Sequence, residues 1–246
     1  MAVSSVAAVL LCTIICGAVA NDAVISPKVP ANSVNVLVTG FGPFLNYTHN
    51  PSQAVAENLD KTCSSFPDYP IQVCYEGWVL DVNHDGSSKV ANEISGREQL
   101  KWGAIIHCGL EDSAKGLKLE TVAANILAKD NSSSPDEPVE PGDPFICPTT
   151  ANLNRINLPH LFSYTNINAN DTKESWSRDA GSYYCNETYF RTCNTVRKEQ
   201  IRGAYSNEMI PVMFVHLPST DTMSIEMDTM LVSRIATVLV NSVLTS

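Results

Sequence analysis

The sequence predicts an α/β fold: a three-layer α/β/α sandwich with an open, mostly parallel twisted sheet. Short, continuous apolar runs rich in β-branched residues indicate strands that are buried on both faces, as in parallel sheets. Segments with the apolar spacing of helices alternate with these runs, which indicates parallel strands joined by helical crossovers. The predicted strands lie within residues 34–39, 71–82, 102–108 and 211–216.

Helices are predicted within residues 51–59, 85–100, 179–197 and 221–244. Pro51 suits the first turn of its helix, where no N–H donor is needed. The last helix is amphipathic, and its methionines are interpreted as part of a core face rather than as ligands. Residues 129–150 carry five prolines, which predict a long surface segment without regular structure.

The first 20 residues have no charged side chain and contain an apolar core over 6–15. Ala18-Val19-Ala20 then matches a small-residue cleavage signal, so residues 1–20 are predicted to be a signal peptide. The alternative is an uncleaved membrane anchor, since the segment is nearly long enough to span a bilayer. Residues 21–246 are predicted to form one domain with no further membrane span, located outside the cell or in the secretory lumen.

Composition narrows the range of partners. The formal net charge is −10, which repels a phosphate backbone and argues against nucleic-acid binding. Secretion would make the N-x-[ST] sequons usable as glycosylation sites, and these start at Asn46, Asn131, Asn170 and Asn186. The sequence leaves open whether the protein is a monomer or a homo-oligomer.

Three residues are candidates for chemistry, and each has a structural alternative. Cys185 follows a Gly-containing turn at the start of a predicted helix, where the helix end favours a thiolate; taken alone, however, a cysteine in a secreted chain is more often a half-cystine or a buried thiol. His216 ends an apolar strand, where a general base is useful, but core histidines also occupy such positions. Glu120 is a lone acid in LKLETVAAN that could orient an imidazole or simply be exposed.

Four short segments carry these residues in a fixed order: VLVTGFGPFLNYTHNPSQAVAENL, ETVAAN, DAGSYYCN and FVHLP. Together they resemble the pyroglutamyl-peptidase I family, also called pyrrolidone-carboxylate peptidases, over most of residues 34–244. In that family the corresponding segments hold the substrate loop, the catalytic Glu, the nucleophile and the His. Leu45, Leu110 and Thr121 depart from the usual family residues, and family members are typically cytosolic.

The resemblance implies that Cys185 is the nucleophile, His216 the base and Glu120 the acid that orients it. It also implies that Phe41 and Phe44 line the lactam ring of the substrate. The expected reaction is that of a thiol protease and omega peptidase, which releases 5-oxoproline from N-terminally pyroglutamylated peptides through a thioester on Cys185. The reaction needs no cofactor, and no sequence pattern supports a metal site.

Two other functions stay open at this point. One is a secreted, catalytically inactive relative that acts as a binding protein, with Cys185 in a disulfide or Asn186 glycosylated. The other is a different cysteine hydrolase, such as an amidase, on the same scaffold. Asn186 adjoins the nucleophile and is expected to be unoccupied in an active enzyme.

The cysteines are expected to divide by role. An active enzyme needs Cys185 as a free thiol, and Cys108 lies in a predicted buried strand, where a thiol behaves as a small hydrophobe. Cys63 and Cys74 flank a short segment and form the favoured disulfide pair. Cys147 and Cys193 remain, so at most two bridges are expected among these last four.

Overall fold

The computed structural model describes residues 33–44, 48–127, 137–157 and 176–244. The strands in this part of the chain are β1 Val34–Phe41, β2 Cys63–Ser65, β3 Gln72–Leu80, β4 Trp102–Leu110, β5 Lys118–Glu120, β6 Val122–Ala124, β7 Ile146–Pro148, β8 Trp176–Ser177 and β9 Val212–Leu217. The α-helices are α1 Pro51–Leu59, α2 His84–Ile94, α3 Tyr184–Glu199 and α4 Ile225–Leu244. The predicted signal peptide and the sequons at Asn46, Asn131 and Asn170 lie outside the described residues.

One seven-stranded sheet organises the fold, with the strand order β2-β3-β1-β4-β9-β5-β8. The central pairs β3–β1, β1–β4 and β4–β9 are parallel, and so is β5–β8. Only the pairs β2–β3 and β5–β9 run antiparallel within this sheet of the described residues. The predicted open and mostly parallel sheet is therefore confirmed.

Helices cover both faces of the sheet. Helices α1 and α4 pack together on one face, and α2 and α3 pack together on the other. Each face has its own apolar cluster, because alternate side chains of β1 point to opposite sides: Val36 and Val38 to one, Leu37 to the other. This is the predicted three-layer α/β/α sandwich.

Local sequence signals account for where the predicted elements begin. Helix α1 begins at Pro51, and the side chain of Asn50 caps it by accepting a hydrogen bond from the Ser52 N–H at 3.1 Å. The strands and helices predicted from apolar patterns are all present, with ends that differ by a few residues. Strands β2, β5, β6 and β8 were not predicted, because segments of two or three residues carry no readable periodicity.

The prediction that residues 129–150 hold no regular element is wrong at their end. Strand β7 pairs antiparallel with β6, with Cys147 opposite Ala123. Pro148 is tolerated because it ends a strand of a two-stranded sheet, where its missing N–H breaks no ladder. We call these two strands the β6–β7 ribbon.

Helix α4 corrects a second expectation. It has 20 residues and contains an 18-residue window with a mean hydropathy of 1.3, so by length and composition it could cross a membrane, contrary to the prediction. However, 78% of that window is buried inside the protein. Its apolar side chains pack against the sheet, as expected for the core helix of a sandwich.

Helix α4 also buries an acid. Asp228 is 0% exposed, and neither carboxylate oxygen has a hydrogen-bond partner among the described residues. Burial raises the pKa of Asp228 to about 7. The folded protein therefore binds a proton at mildly acidic pH that the unfolded chain has already released, and the stability this provides is lost as the pH rises through about 7.

We predict that Asp228→Asn removes this pH dependence. Between pH 5 and pH 8.5, the free energy of unfolding of the wild type should fall by roughly 2–3 kcal/mol more than that of the variant, since each pKa unit is worth about 1.4 kcal/mol. Urea unfolding at the two pH values measures the difference. Glu226→Gln, an exposed position in the same helical turn, is the control and should keep the wild-type fall. Equal falls in Asp228→Asn and the wild type would contradict the assignment.

Candidate active site

The candidate residues meet at the carboxyl edge of the central strands. His216 lies near the end of β9, directly opposite Gly109 on β4. On its other side β9 pairs with β5, which runs antiparallel and ends at Glu120. Cys185 lies in the first turn of α3, which packs on this part of the sheet. Residues far apart in sequence thus converge where ligands bind in open α/β sheets.

Glu120 and His216 form a buried hydrogen-bonded pair. The His216 Nδ1 lies 2.9 Å from Glu120 Oε1. His216 is 5% exposed and Glu120 is 0% exposed. The second carboxylate oxygen accepts a hydrogen bond from the backbone N–H of Asp179 at 3.2 Å. The Tyr189 hydroxyl donates to the Glu120 carbonyl at 2.7 Å. The alternative that Glu120 is an exposed acid is wrong, and the imidazole is fixed in orientation.

Cys185 is a free, partly exposed thiol that interacts with His216, the residue opposite Gly109 in the sheet. Its Sγ lies directly over Gly109: a Cβ added there would be 2.7 Å from Cys185 Sγ and 2.8 Å from Phe214 Cζ. Residue 109 therefore has no room for a side chain larger than that of glycine. Sequence reasoning overlooked Gly109, although a glycine at the carboxyl end of a buried strand is a signal for close approach.

The neighbours of His216 determine its charge. Burial acts to lower the pKa of His216, but the hydrogen bonds to Cys185 and Glu120 and the charges of both groups outweigh it and raise the pKa to about 10. The Phe214 ring lies 4.7 Å from the imidazole ring, measured between centroids. The site therefore favours an imidazolium at neutral pH.

The turn before α3 is tied to the same pair. Gly181 has a φ of +77°, a conformation that glycine adopts without cost. Its N–H donates to Asp179 Oδ1 at 3.0 Å, while the Asp179 N–H binds Glu120. The chain that leads to Cys185 is thereby anchored to the carboxylate that orients His216.

Asn186 anchors the other side of the nucleophile turn. It is 0% exposed, and its Nδ2 donates to the carbonyls of Ala124 and Ile126, both at 2.8 Å. Its Oδ1 accepts from the Ala124 N–H at 2.8 Å. Every polar atom of this side chain is engaged, so a glycan on Nδ2 is incompatible with the folded arrangement. Sequence reasoning recognised the residue only as a sequon.

The two phenylalanines differ in their surroundings. Phe41 is 3% exposed and packs in the core cluster shared with α2 and α3. Phe44 follows the carboxyl end of β1 and is partly exposed. His107 on β4 is fully buried, and its ring nitrogens lie 2.8 Å from the Thr39 hydroxyl and 3.1 Å from the Thr192 hydroxyl. Burial lowers its pKa to about 3, so it stays neutral.

A second carboxylate lies near the pair. Glu111 Oε2 is 3.9 Å from His216 Nδ1, and one ligand atom from each of Glu111, Glu120 and His216 falls within a 4.8 Å group that could hold a metal ion. However, Lys118 Nζ binds Glu111 Oε1 at 2.5 Å, and His216 Nδ1 is bonded to Glu120. Glu111 is thus paired with Lys118, and Glu120 is paired with His216. These pairings fit a network that orients the imidazole better than a metal centre.

Comparison with known proteins identifies the family and agrees with the fold. A sequence model of the family described as pyroglutamyl peptidase matches residues 34–242. A pyrrolidone-carboxylate peptidase of Halalkalibacterium halodurans is 25% identical over 189 residues, which cover 75% of this chain and 84% of that protein. Pyrrolidone-carboxylate peptidase 2 of Caldanaerobacter subterraneus is 26% identical over 196 residues, which cover 78% and 89%.

Solved structures share the architecture. A mutant pyrrolidone carboxyl peptidase from Pyrococcus furiosus superposes with a TM-score of 0.64 at 23% identity, covering 84% of this chain and 98% of that one. The pyrrolidone carboxyl peptidase from Thermococcus litoralis gives a TM-score of 0.62 at 20% identity, covering 84% and 93%. These similarities confirm the fold class predicted from the sequence.

We predict that Glu120→Gln lowers the pKa of His216. The amide cannot balance the positive imidazolium, and loss of an opposite charge at this distance shifts a pKa by roughly 1–3 pH units. NMR titration of the histidine side chains measures the change. Glu111→Gln is the matched control: its carboxylate is farther away and already paired with Lys118, so its effect should be smaller. An unchanged pKa in Glu120→Gln, or equal shifts in both variants, would contradict the role of the 2.9 Å hydrogen bond.

Proposed function

Because the chain belongs to the pyroglutamyl peptidase family, we propose that it is a secreted cysteine peptidase that hydrolyses the bond after an N-terminal pyroglutamyl residue. The observation that carries this proposal is the continuous chain of contacts from Glu120 through His216 to the free thiol of Cys185. A nucleophile, a base and a group that orients the base are the parts that acyl transfer requires.

In the proposed mechanism, Cys185 Sγ attacks the carbonyl carbon that joins pyroglutamate to the next residue. As the C–N bond breaks, the His216 imidazolium gives its proton to the leaving amine, and a thioester remains. Water then attacks the thioester and transfers a proton to His216 while 5-oxoproline leaves. The thiolate–imidazolium pair is restored, and Glu120 keeps the imidazole oriented through both steps.

The start of α3 offers stabilisation for the oxyanion. Tyr183 occupies the N-cap position and forms no side-chain capping bond. As in any α-helix, the first N–H groups have no carbonyl partner within the helix, and here they lie next to Cys185. Such donors, together with the positive end of the helix dipole, stabilise the negative charge that develops on the carbonyl oxygen.

The exposure of the two phenylalanines refines the proposed substrate pocket. A lactam ring is small, flat and nearly neutral, so an aromatic wall suits it. Phe44 is partly exposed and would contact the lactam ring of the substrate. Phe41 is buried and would pack beneath the pocket without contacting the ring. The free thiol of Cys185 argues against the inactive binding protein in which this residue is tied in a disulfide.

Substrate turnover tests the proposal. Under reducing conditions the protein should release a fluorophore from its pyroglutamyl derivative, and Cys185→Ala should abolish release. Cys108→Ala, which alters a buried thiol in a core strand, should retain it. Turnover of a prolyl or glutaminyl derivative at a similar kcat/KM would favour a general amidase instead. Lack of Cys185-dependent turnover would leave the binding protein as the better hypothesis.

Secretion is the second part of the proposal. It is supported by the predicted signal peptide over residues 1–20 and by the Cys63–Cys74 disulfide, a bond that the secretory pathway permits. This disulfide is also the pair that the sequence favoured. The substrates would then be extracellular or lumenal peptides whose N-terminus is blocked by pyroglutamate.

We predict that expression in a eukaryotic secretory host gives protein in the medium with Asn21 as its first residue. Glycopeptide mapping should find Asn186 unoccupied, because its side chain is consumed by three hydrogen bonds to β6 and Ile126. Asn131 and Asn170 are the expected acceptors, and they serve as controls for glycosylation competence. Retention of residues 1–20 on a cell-associated protein would favour the anchor, and full occupancy of Asn186 in active protein would contradict the site.

A further inference from the structure

Helix α3 carries a second cysteine on its buried side. Cys193 is 0% exposed, and it lies eight residues after Cys185, or about 12 Å along the helix at 1.5 Å per residue. Its thiol interacts with the thiol of Cys147 in β7, which is 5% exposed, and Arg197, one turn further along α3, donates to the carbonyl of Pro148, the residue after Cys147. Both residues belong to the same core cluster, and both are free cysteines. Two free, buried thiols are therefore neighbours where α3 packs against the β6–β7 ribbon.

The surroundings make the two thiols unequal. The neighbouring Cys193 thiol and the positive charge of Arg197 lower the pKa of Cys147, although burial acts in the opposite direction. Burial raises the pKa of Cys193 well above its ordinary value. Arg197 is held in place because it donates to the carbonyls of Pro148 and Thr149, at 3.1 Å and 2.6 Å. Cys147 lies beside the positive charge of Arg197 and is nearer to solvent than Cys193, so it is the thiol that can act as the attacking group.

Cys147 also lies closer to solvent than its partner. It is flanked in β7 by Ile146, which is 44% exposed, and by the exposed Pro148. Small outward motion of this three-residue strand would bring its sulfur to the surface. Cys193 is enclosed by the helix and the sheet, so it can react only with a group that Cys147 has already captured.

We propose that Cys147 and Cys193 are a reversible dithiol–disulfide pair that, when oxidised, locks the β6–β7 ribbon to the helix that carries Cys185. The oxidant is a low-molecular-weight disulfide such as oxidised glutathione. The Cys147 thiolate attacks one of its sulfurs, expels one glutathione thiolate and forms a mixed disulfide. Cys193 then loses its proton and attacks the Cys147 sulfur, which expels the second glutathione. Two electrons and two protons pass to the oxidant, which leaves as two molecules of glutathione.

A Cys147–Cys193 disulfide would tie together the elements that position the active site, and it would leave Cys185 as a free thiol. Cys185 contacts His216 at the sheet edge, two helical turns away from Cys193. One residue separates Glu120 from strand β6, and β6 is already hydrogen-bonded to Asn186 at the start of α3. A bond between Cys147 and Cys193 would fix the same ribbon to the middle of α3, which adds a covalent tie between the helix and the segment next to Glu120.

Peptide mapping after equilibration in glutathione redox buffers tests the proposal. Trypsin separates the relevant cysteines, since Arg191 lies between Cys185 and Cys193, and Cys147 falls alone in the peptide 130–155. In the oxidising buffer we expect this peptide linked to 192–197, with Cys185 unlinked. The Cys63–Cys74 bridge is the internal standard that shows the buffer is oxidising. If that bridge is complete while Cys147 and Cys193 stay reduced, or if Cys193 pairs with another cysteine, the proposal fails.

The stability readout uses differences between oxidised and reduced samples. Oxidation should raise the melting temperature of the wild type more than that of Cys147→Ala, by roughly 5–15 °C for a bridge that closes a long loop. Cys108→Ala is the matched control, because it also removes a buried thiol and should keep the full wild-type increase. An equal increase in the wild type and Cys147→Ala would show that the bridge does not tie the ribbon to α3.

Discussion

The site depends on one interaction, the 2.9 Å hydrogen bond between Glu120 and His216 inside the protein. A buried carboxylate is costly unless it is paired with a positive group and fully hydrogen-bonded. Both conditions hold here, because the Asp179 N–H occupies the second oxygen and the imidazole is held in its charged form. The pair is therefore stable only when the turn before α3, strand β5 and strand β9 are all in place.

This requirement explains why the sheet departs from parallel pairing at β5. The parallel strands β4 and β9 bring Gly109 and His216 side by side at their carboxyl ends. A carboxylate must then approach the imidazole from the far side of β9, and β5 supplies it by running antiparallel for only three residues. Gly109 leaves the space above β4 open for the sulfur of Cys185. Strand direction and side-chain size at the edge are thus set by the geometry of the contacts with His216.

The sequence predicts the fold better than it predicts the site. Long apolar strands such as β4 and β9 are readable because burial on both faces leaves a continuous apolar run. Cys185, His216 and Glu120 each had an ordinary structural explanation, and only their order within four motifs favoured catalysis. Gly109 and Asn186 act through contacts with residues distant in the chain, which no local pattern reveals. Strand β7 was overlooked because prolines usually break strands, yet Pro148 lies where no hydrogen bond is lost.

The β6–β7 ribbon helps to position the active site, although its second strand was predicted to be part of an irregular surface segment. Helix α3 contacts it at three levels: Asn186 binds β6 near the nucleophile, Cys193 meets Cys147 in the middle, and Arg197 binds the Pro148 and Thr149 carbonyls near the helix end. A helix held at three levels can neither slide nor rotate without breaking the hydrogen bonds of Asn186 and Arg197, which are costly to leave unmade. The position of Cys185 over Gly109 is thus fixed along the whole helix, and the ribbon, through β6, connects that helix to the segment next to Glu120.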